Sequence, residues 1–128
     1  MDFADIKRKA LAAREFTAEV GVKSFTVRLP TPHELAVEVE RARLRGGTLD
    51  PAQFIVVWRV LLERGVVGWS GVTCEDLAPG AGPEPADVSA EAVALLLDAD
   101  ADLQGKLYEQ FVTRLVERNT KRAEAEKN

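Results

Sequence analysis

The spacing of apolar and polar residues changes several times along the chain, and each change marks an element. Phe3, Ile6, Ala10 and Leu11 fall at helical spacing with Lys7, Arg8, Lys9 and Arg14 outside them, which predicts a short helix from Asp2 or Ala4 to about Arg14. The period then drops to two. Phe16, Ala18 and Val20 alternate with Thr17 and Glu19, and Phe25, Val27 and Leu29 alternate with Thr26 and Arg28. With Gly21 between the runs and Pro30 after them, this predicts a β-hairpin of roughly 16–20 and 24–29. Thr31, Pro32 and Glu34 then form a helix start: a capping hydroxyl, a proline at the first position and the acidic partner of a capping box. That helix should run to about Arg45 and stop at Gly46-Gly47, burying Leu35, Ala36, Val39 and Ala42 and leaving Glu38, Arg41 and Arg45 on the wet side.

The most apolar stretch follows. From Phe54 to Leu62 the one polar residue is Arg59, so a helix over 51–64 should be buried on most sides, with Arg59 and Glu63 paired on the remaining stripe. Asp50 and Pro51 suit its start, and Gly65 suits a left-handed stop. The short connection predicts that this helix lies antiparallel to the one before it. The glycines of GVVGWSGV (65–72) argue for an extended or turning segment. Trp69 within it reads either as a side chain sealing the core or as an aromatic anchor for a partner.

Residues 73–88, rich in Pro and Gly, read as a mobile acidic loop. Ser89 caps a helix over about 90–97 with Val93, Leu96 and Leu97 as core residues, and Asp98 or Asp100 caps the next. In the last helix, from Ala101 into the 120s, Leu103, Leu107, Phe111 and Leu115 repeat every four residues, joined by Tyr108 and Val112. After Val116 nothing apolar follows, so 117–128 reads as a polar, fraying tail. The pattern as a whole predicts a mainly α (α+β) single domain over 1–128, with about five helices and a small N-terminal β-hairpin.

Composition adds limits. A chain of 128 residues can bury a core without staples, and its net charge of −4 gives no argument for nucleic-acid or membrane binding. The N-terminus lacks the apolar run of a signal peptide, and no stretch approaches a transmembrane length. One cysteine, Cys74, excludes an intramolecular disulfide and fits a reducing, cytoplasmic home. Charge is uneven: residues 73–105 hold eight acidic and no basic side chains, between ends that are each net +2. That layout suits head-to-tail or tail-to-middle contacts between copies, or simply a solvated loop.

No residue set, carboxylate pairs included, singles itself out for catalysis. His33 is the sole histidine and stands in a first helical turn, away from any ligand set. Asp98, Asp100 and Asp102 with Glu109 imitate a calcium loop, but Leu103 occupies the position that requires glycine. No phosphate-binding loop precedes a helix, and Cys74 in acidic surroundings is a poor nucleophile. The expectation is a protein that is not an enzyme and needs no cofactor or metal.

The segment GVVGWSGV, the acidic Pro/Gly loop, the short Ser-capped helix, the charged final helix ending AEAEKN and the VRLPTPHE start of the second helix together resemble the small tail assembly chaperones of long-tailed bacteriophages and prophages. The resemblance spans about residues 25–128. It implies a protein of the host bacterial cytoplasm that binds the tape measure protein, recruits tail tube subunits and is absent from the mature virion. It also implies two product lengths made by ribosomal frameshifting, for which the codons of Lys127-Asn128 are the candidate slippery run. The alternative is a head–tail connector or completion protein retained in the virion. Candidate partner-binding residues are Trp69 and, on the final helix, Tyr108, Arg114, Arg118, Lys121 and Arg122; association between copies through helix faces is also expected.

Overall fold

The computed structural model describes residues 2–46 and 51–127. Its elements in chain order are α1 (Phe3–Ala12), β1 (Glu15–Val20), β2 (Lys23–Arg28), α2 (Pro32–Gly46), α3 (Pro51–Gly65), β3 (Val66–Ser70), α4 (Cys74–Leu77), α5 (Ala90–Ala99) and α6 (Ala101–Lys127). The chain is mainly helical with a small antiparallel sheet, as the residue pattern predicts.

Side chains at the predicted positions set the helix starts. Thr31 Oγ1 accepts from the Glu34 amide at 3.1 Å while Glu34 Oε1 accepts from the Thr31 amide at 3.2 Å, the reciprocal bonds of a capping box. Ser89 Oγ accepts from the Ala92 amide at 3.0 Å and Asp100 Oδ1 from the Leu103 amide at 3.1 Å. The proposed Asp50 cap lies outside the described residues.

The sheet has the order β1-β2-β3. The hairpin pairs Phe16 with Val27 and Ala18 with Phe25. The extended segment after α3 is a third strand, antiparallel to β2, with Phe25 opposite Trp69 and Val27 opposite Val66. Thr26 pairs with Gly68, so Val67 is the extra residue of a β-bulge and turns outward. Gly65, at the α3–β3 junction, is not left-handed. It is glycine because an added Cβ would lie 2.7 Å from the Arg28 carbonyl oxygen, too close for any side chain.

One core unites the two layers. Phe25 and Val27 from β2, Val57, Leu61 and Leu62 from α3, Val93, Leu96 and Leu97 from α5, and Leu103, Leu107, Phe111 and Leu115 from α6 are all buried. At ~25 cal/mol per Å², each such large side chain contributes roughly 1.5–3 kcal/mol by leaving water.

Four expectations need correction. The α3 helix is not buried on most sides: Phe54 is 42% exposed, Ile55 58% and Val56 54%. Three successive helical positions span about 200° of arc, and among the described residues the packing lies along the side of Val57, Leu61 and Leu62. The α1 stripe is also uncovered, with Phe3 76% and Ile6 50% exposed and no buried residue in the helix. On α2, Ala36 is exposed while Glu38, expected on the wet side, is 5% exposed. The Arg64 guanidinium of α3 reaches Glu38 Oε1 at 2.7 Å and Arg41 reaches it at 2.9 Å, so two cations cover the carboxylate. Last, the 73–88 stretch contains a helical turn, α4, whose own capping box joins Thr73 and Asp76. The chain returns from it along Cys74 N–H to Glu84 O and Ala86 N–H to Val72 O, at 2.8 and 3.0 Å.

Candidate functional site

Among the described residues, two hollows bring candidate residues of the final helix together with partners from other elements. The first is an apolar cleft of about 190 Å³ between α3 and α6, lined by Ile55, Arg59, Leu62, Gln104, Gly105 and Tyr108. Arg59 holds its walls together. Its Nε donates to Glu63 Oε1 at 2.9 Å, Nη1 to Gln104 Oε1 at 2.8 Å, and Nη2 to the Ala94 carbonyl at 2.9 Å and Asp98 Oδ1 at 2.8 Å. One side chain thereby joins α3, α5 and α6. The expected Arg59–Glu63 pair is present, as part of this larger network. Tyr108 stands at the rim, edge-on to Trp58 with centroids 6.3 Å apart, and Trp58 is edge-on to the buried Phe111 at 5.7 Å.

The second surface is a basic groove of about 250 Å³ where the α1–β1 junction meets the later half of α6. Arg14, Arg114, Arg118 and Lys121 line it, with Glu15, Phe16 and Glu117. Arg114 lies over the Phe16 ring, 5.5 Å from its centroid. Arg118 donates to the Pro30 carbonyl at 2.5 Å. Burial, and then the neighbouring charges of Arg122 and Arg14, lower the pKa of Arg118 below the ordinary arginine value. The guanidinium keeps its charge throughout the physiological range.

The six candidate partner-binding residues therefore separate. Arg114, Arg118 and Lys121 share the basic groove, and Arg122 acts on Arg118 through its charge. Tyr108 belongs to the apolar cleft. Trp69 sits elsewhere and is half-buried: its indole N–H donates to the Ala86 carbonyl at 2.8 Å and its ring meets Phe25 edge-on at 6.3 Å. It ties the return of the 73–88 segment onto the sheet. Ile55, Arg59 and Gly105 were not among the candidates. The signal that finds them is the apolar run at 54–57, longer than one helix face can bury, together with a glycine inside a helical repeat.

Among the described residues, no group of three or more His, Cys, Asp or Glu side chains is placed to hold a metal ion. His33 is exposed at the first turn of α2, and Leu103, at the would-be calcium-loop glycine position, is a core residue. Hydrogen bonds from the Thr73 amide and hydroxyl, and then the charge of Lys23 3.6 Å away, lower the pKa of Asp76, an arrangement that caps α4. Among the described residues, no helix is long and apolar enough to cross a membrane. No family model matches the chain, and no curated protein or solved structure matches it.

Proposed function

We propose that this protein is a non-enzymatic tail assembly chaperone of a long-tailed bacteriophage or prophage, acting in the host cytoplasm, that binds the tape measure protein and recruits tail tube subunits. The assignment to tail assembly rests on the resemblance over residues 25–128. The observation that supports a holding role is the uncovered apolar face of α3. Phe54, Ile55 and Val56 are three exposed apolar side chains in a row, continuous with the α3–α6 cleft through Ile55. Clustered on one helical turn, three such side chains mark an interaction site more than scattered single residues do. A chaperone that shields apolar partner surface needs such a face and needs no cofactor.

Co-expression with the product of the very long gene expected immediately downstream tests this reading. The tagged chain should retain that product, and a Phe54→Asp/Val56→Asp variant with an unchanged circular dichroism spectrum should lose it. Equal retention by the variant would remove the α3 face from the mechanism. Absence of any long tape measure gene beside this one would overturn the assignment itself. Mass spectrometry of purified particles distinguishes the connector reading, which requires the chain in the virion.

A further inference from the structure

The sheet order β1-β2-β3 gives β1 a partner on one side and leaves its other side as an edge. Leu29 N–H donates to the Arg14 carbonyl at 2.8 Å, so Arg14 and every second residue after it, Phe16, Ala18 and Val20, turn their backbone groups toward β2. Glu15, Thr17 and Glu19 turn theirs outward. Gln110 of α6 donates to the outward carbonyl of Glu19 at 3.1 Å. Among the described residues, nothing fills the outward groups of Glu15 and Thr17. An edge of that kind is a template for a further strand.

The same stretch of β1 borders the basic groove. The α6 helix runs past it in the opposite direction: Gln110 meets Glu19, Arg114 lies over Phe16, and Arg118 reaches the Pro30 carbonyl. The cations along it are unequally satisfied. Arg14 is paired with Glu34 at 2.8 Å. Arg114 has Glu117 at 3.9 Å, with both side chains half exposed. Arg118 donates to a neutral oxygen and Lys121 is exposed; among the described residues, neither has a carboxylate partner. Arg118 also feels the like charges of Arg122 and Arg14. The remaining carboxylate of the groove, Glu15, is taken by Arg28 at 2.7 Å. An anion entering here relieves the repulsion among these cations and meets charged donors.

Two further features narrow the occupant. The aromatic residue that lines the groove, Phe16, is already covered by Arg114, which competes with any base that would stack on it. Glu15 and Glu117 would also repel a continuous phosphate backbone. The chain's own acid-rich segment 73–88 is bonded into the fold, Cys74 N–H to Glu84 O and Ala86 N–H to Val72 O, so it is not free to extend. The anion is therefore carried by another polypeptide. In an extended strand alternate side chains point the same way. A segment with an acidic residue at every second position thus presents a row of carboxylates to α6 while its backbone bonds to β1.

We infer that the groove between the β1 edge and the later half of α6 binds an extended acidic segment of a partner polypeptide, whose backbone pairs with Glu15 and Thr17 and whose carboxylates bind Arg114, Arg118 and Lys121. Strand addition of this kind takes affinity from main-chain bonds and specificity from the alternate side chains. The surface is separate from the exposed face of α3, and it holds its ligand whether or not the chain acts in tail assembly.

Nuclear magnetic resonance of the isotope-labelled full chain, titrated with a synthetic peptide of alternating glutamate and threonine blocked at both ends, provides the test. Threonine favours the extended form. The amide signals of Glu15, Thr17, Arg114 and Arg118 should move saturably, the Thr17 amide should exchange more slowly with solvent, and the affinity should fall with added salt. Arg118→Gln and Lys121→Gln should each raise the dissociation constant on the order of fivefold, and the glutamine–threonine counterpart of the peptide should bind about tenfold more weakly. Lys106→Gln makes the same charge change elsewhere on α6, at a lysine paired with Asp102, and should leave the affinity unchanged. Circular dichroism verifies folding; Lys121→Gln, at an exposed and unpaired position, carries the comparison if Arg118→Gln fails to fold. No movement of the groove signals at about 1 mM peptide, movement centred elsewhere, or equal weakening by Lys106→Gln overturns the inference. So does movement on α6 without slower exchange at Thr17. Tighter binding of oligothymidylate than of the peptide would assign the groove to nucleic acid and overturn it as well.

Discussion

Arg59→Met tests whether a single guanidinium joins three helices. Methionine keeps most of the unbranched stem that packs beside Leu62 and removes all four hydrogen bonds. The Gln104 and Ala94 bonds are to neutral oxygens and are worth about 1 kcal/mol each. The Glu63 and Asp98 bonds are ion pairs: the first is an i,i+4 helix pair, worth about 0.3–0.5 kcal/mol, and the second is screened because Asp98 is 69% exposed, holding it to under about 1 kcal/mol. The loss should be about 2–3 kcal/mol, which for a chain of this length lowers the melting temperature by roughly 6–15 °C. Urea unfolding followed by far-ultraviolet circular dichroism should show an earlier midpoint with an unchanged slope. A double-mutant cycle apportions the loss: coupling of Arg59 to Gln104 should be near 1 kcal/mol and coupling to Asp98 smaller. A loss below about 0.5 kcal/mol, within the range of an ordinary surface substitution, would show that the network does not hold the cleft walls.

Other outcomes follow from single contacts. Gly65→Ala should cost about 1–3 kcal/mol, because the new Cβ meets backbone, the Arg28 carbonyl, and not a yielding side chain; thermal melting measures it. Gly105→Ala should act in the opposite sense, raising the stability of the dilute chain by up to about 1 kcal/mol, since nothing in the chain opposes the methyl group. Asp76 has a folded-state pKa lowered below its ordinary value. Its stabilising effect is therefore complete above about pH 4–5 and is lost as pH falls through the folded-state pKa. Asp76→Asn should flatten that part of the acid limb in a pH series of urea midpoints.

Features governed by neighbouring residues were legible in the sequence. The caps at Thr31, Ser89 and Asp100 are contacts between residues three apart, and the Leu103, Leu107, Phe111, Leu115 repeat is a property of one helix. Features requiring a distant partner were not. Glu38 is buried because Arg64, 26 residues later, arrives over it. Gly65 is required by the Arg28 carbonyl at the end of strand β2, not by the end of its own helix. The apolar run at 54–57 announces a helix but cannot say how many of its sides the chain will cover, and that unknown decided where the apolar cleft lies. The basic groove was half legible: Arg114, Arg118 and Lys121 share a helical face, but the approach of Arg14 from the α1–β1 junction is visible only in three dimensions.

The edge-on stack of Trp58 on Phe111 and Tyr108 also gives the protein a built-in optical reporter. The chain has two tryptophans, each bound to a different part of the structure. Trp69 emits from the junction of the sheet and the 73–88 return, so its spectrum follows the integrity of that seam. Trp58 is half-buried behind Tyr108, which lines the α3–α6 cleft. Because Tyr108 meets the Trp58 ring edge-on, a ligand that covers Tyr108 should change the surroundings of the Trp58 indole and leave the Trp69 seam untouched. In a Trp69→Phe background, cleft occupancy should therefore appear as a shift of the remaining emission, readable at nanomolar to micromolar chain and in real time.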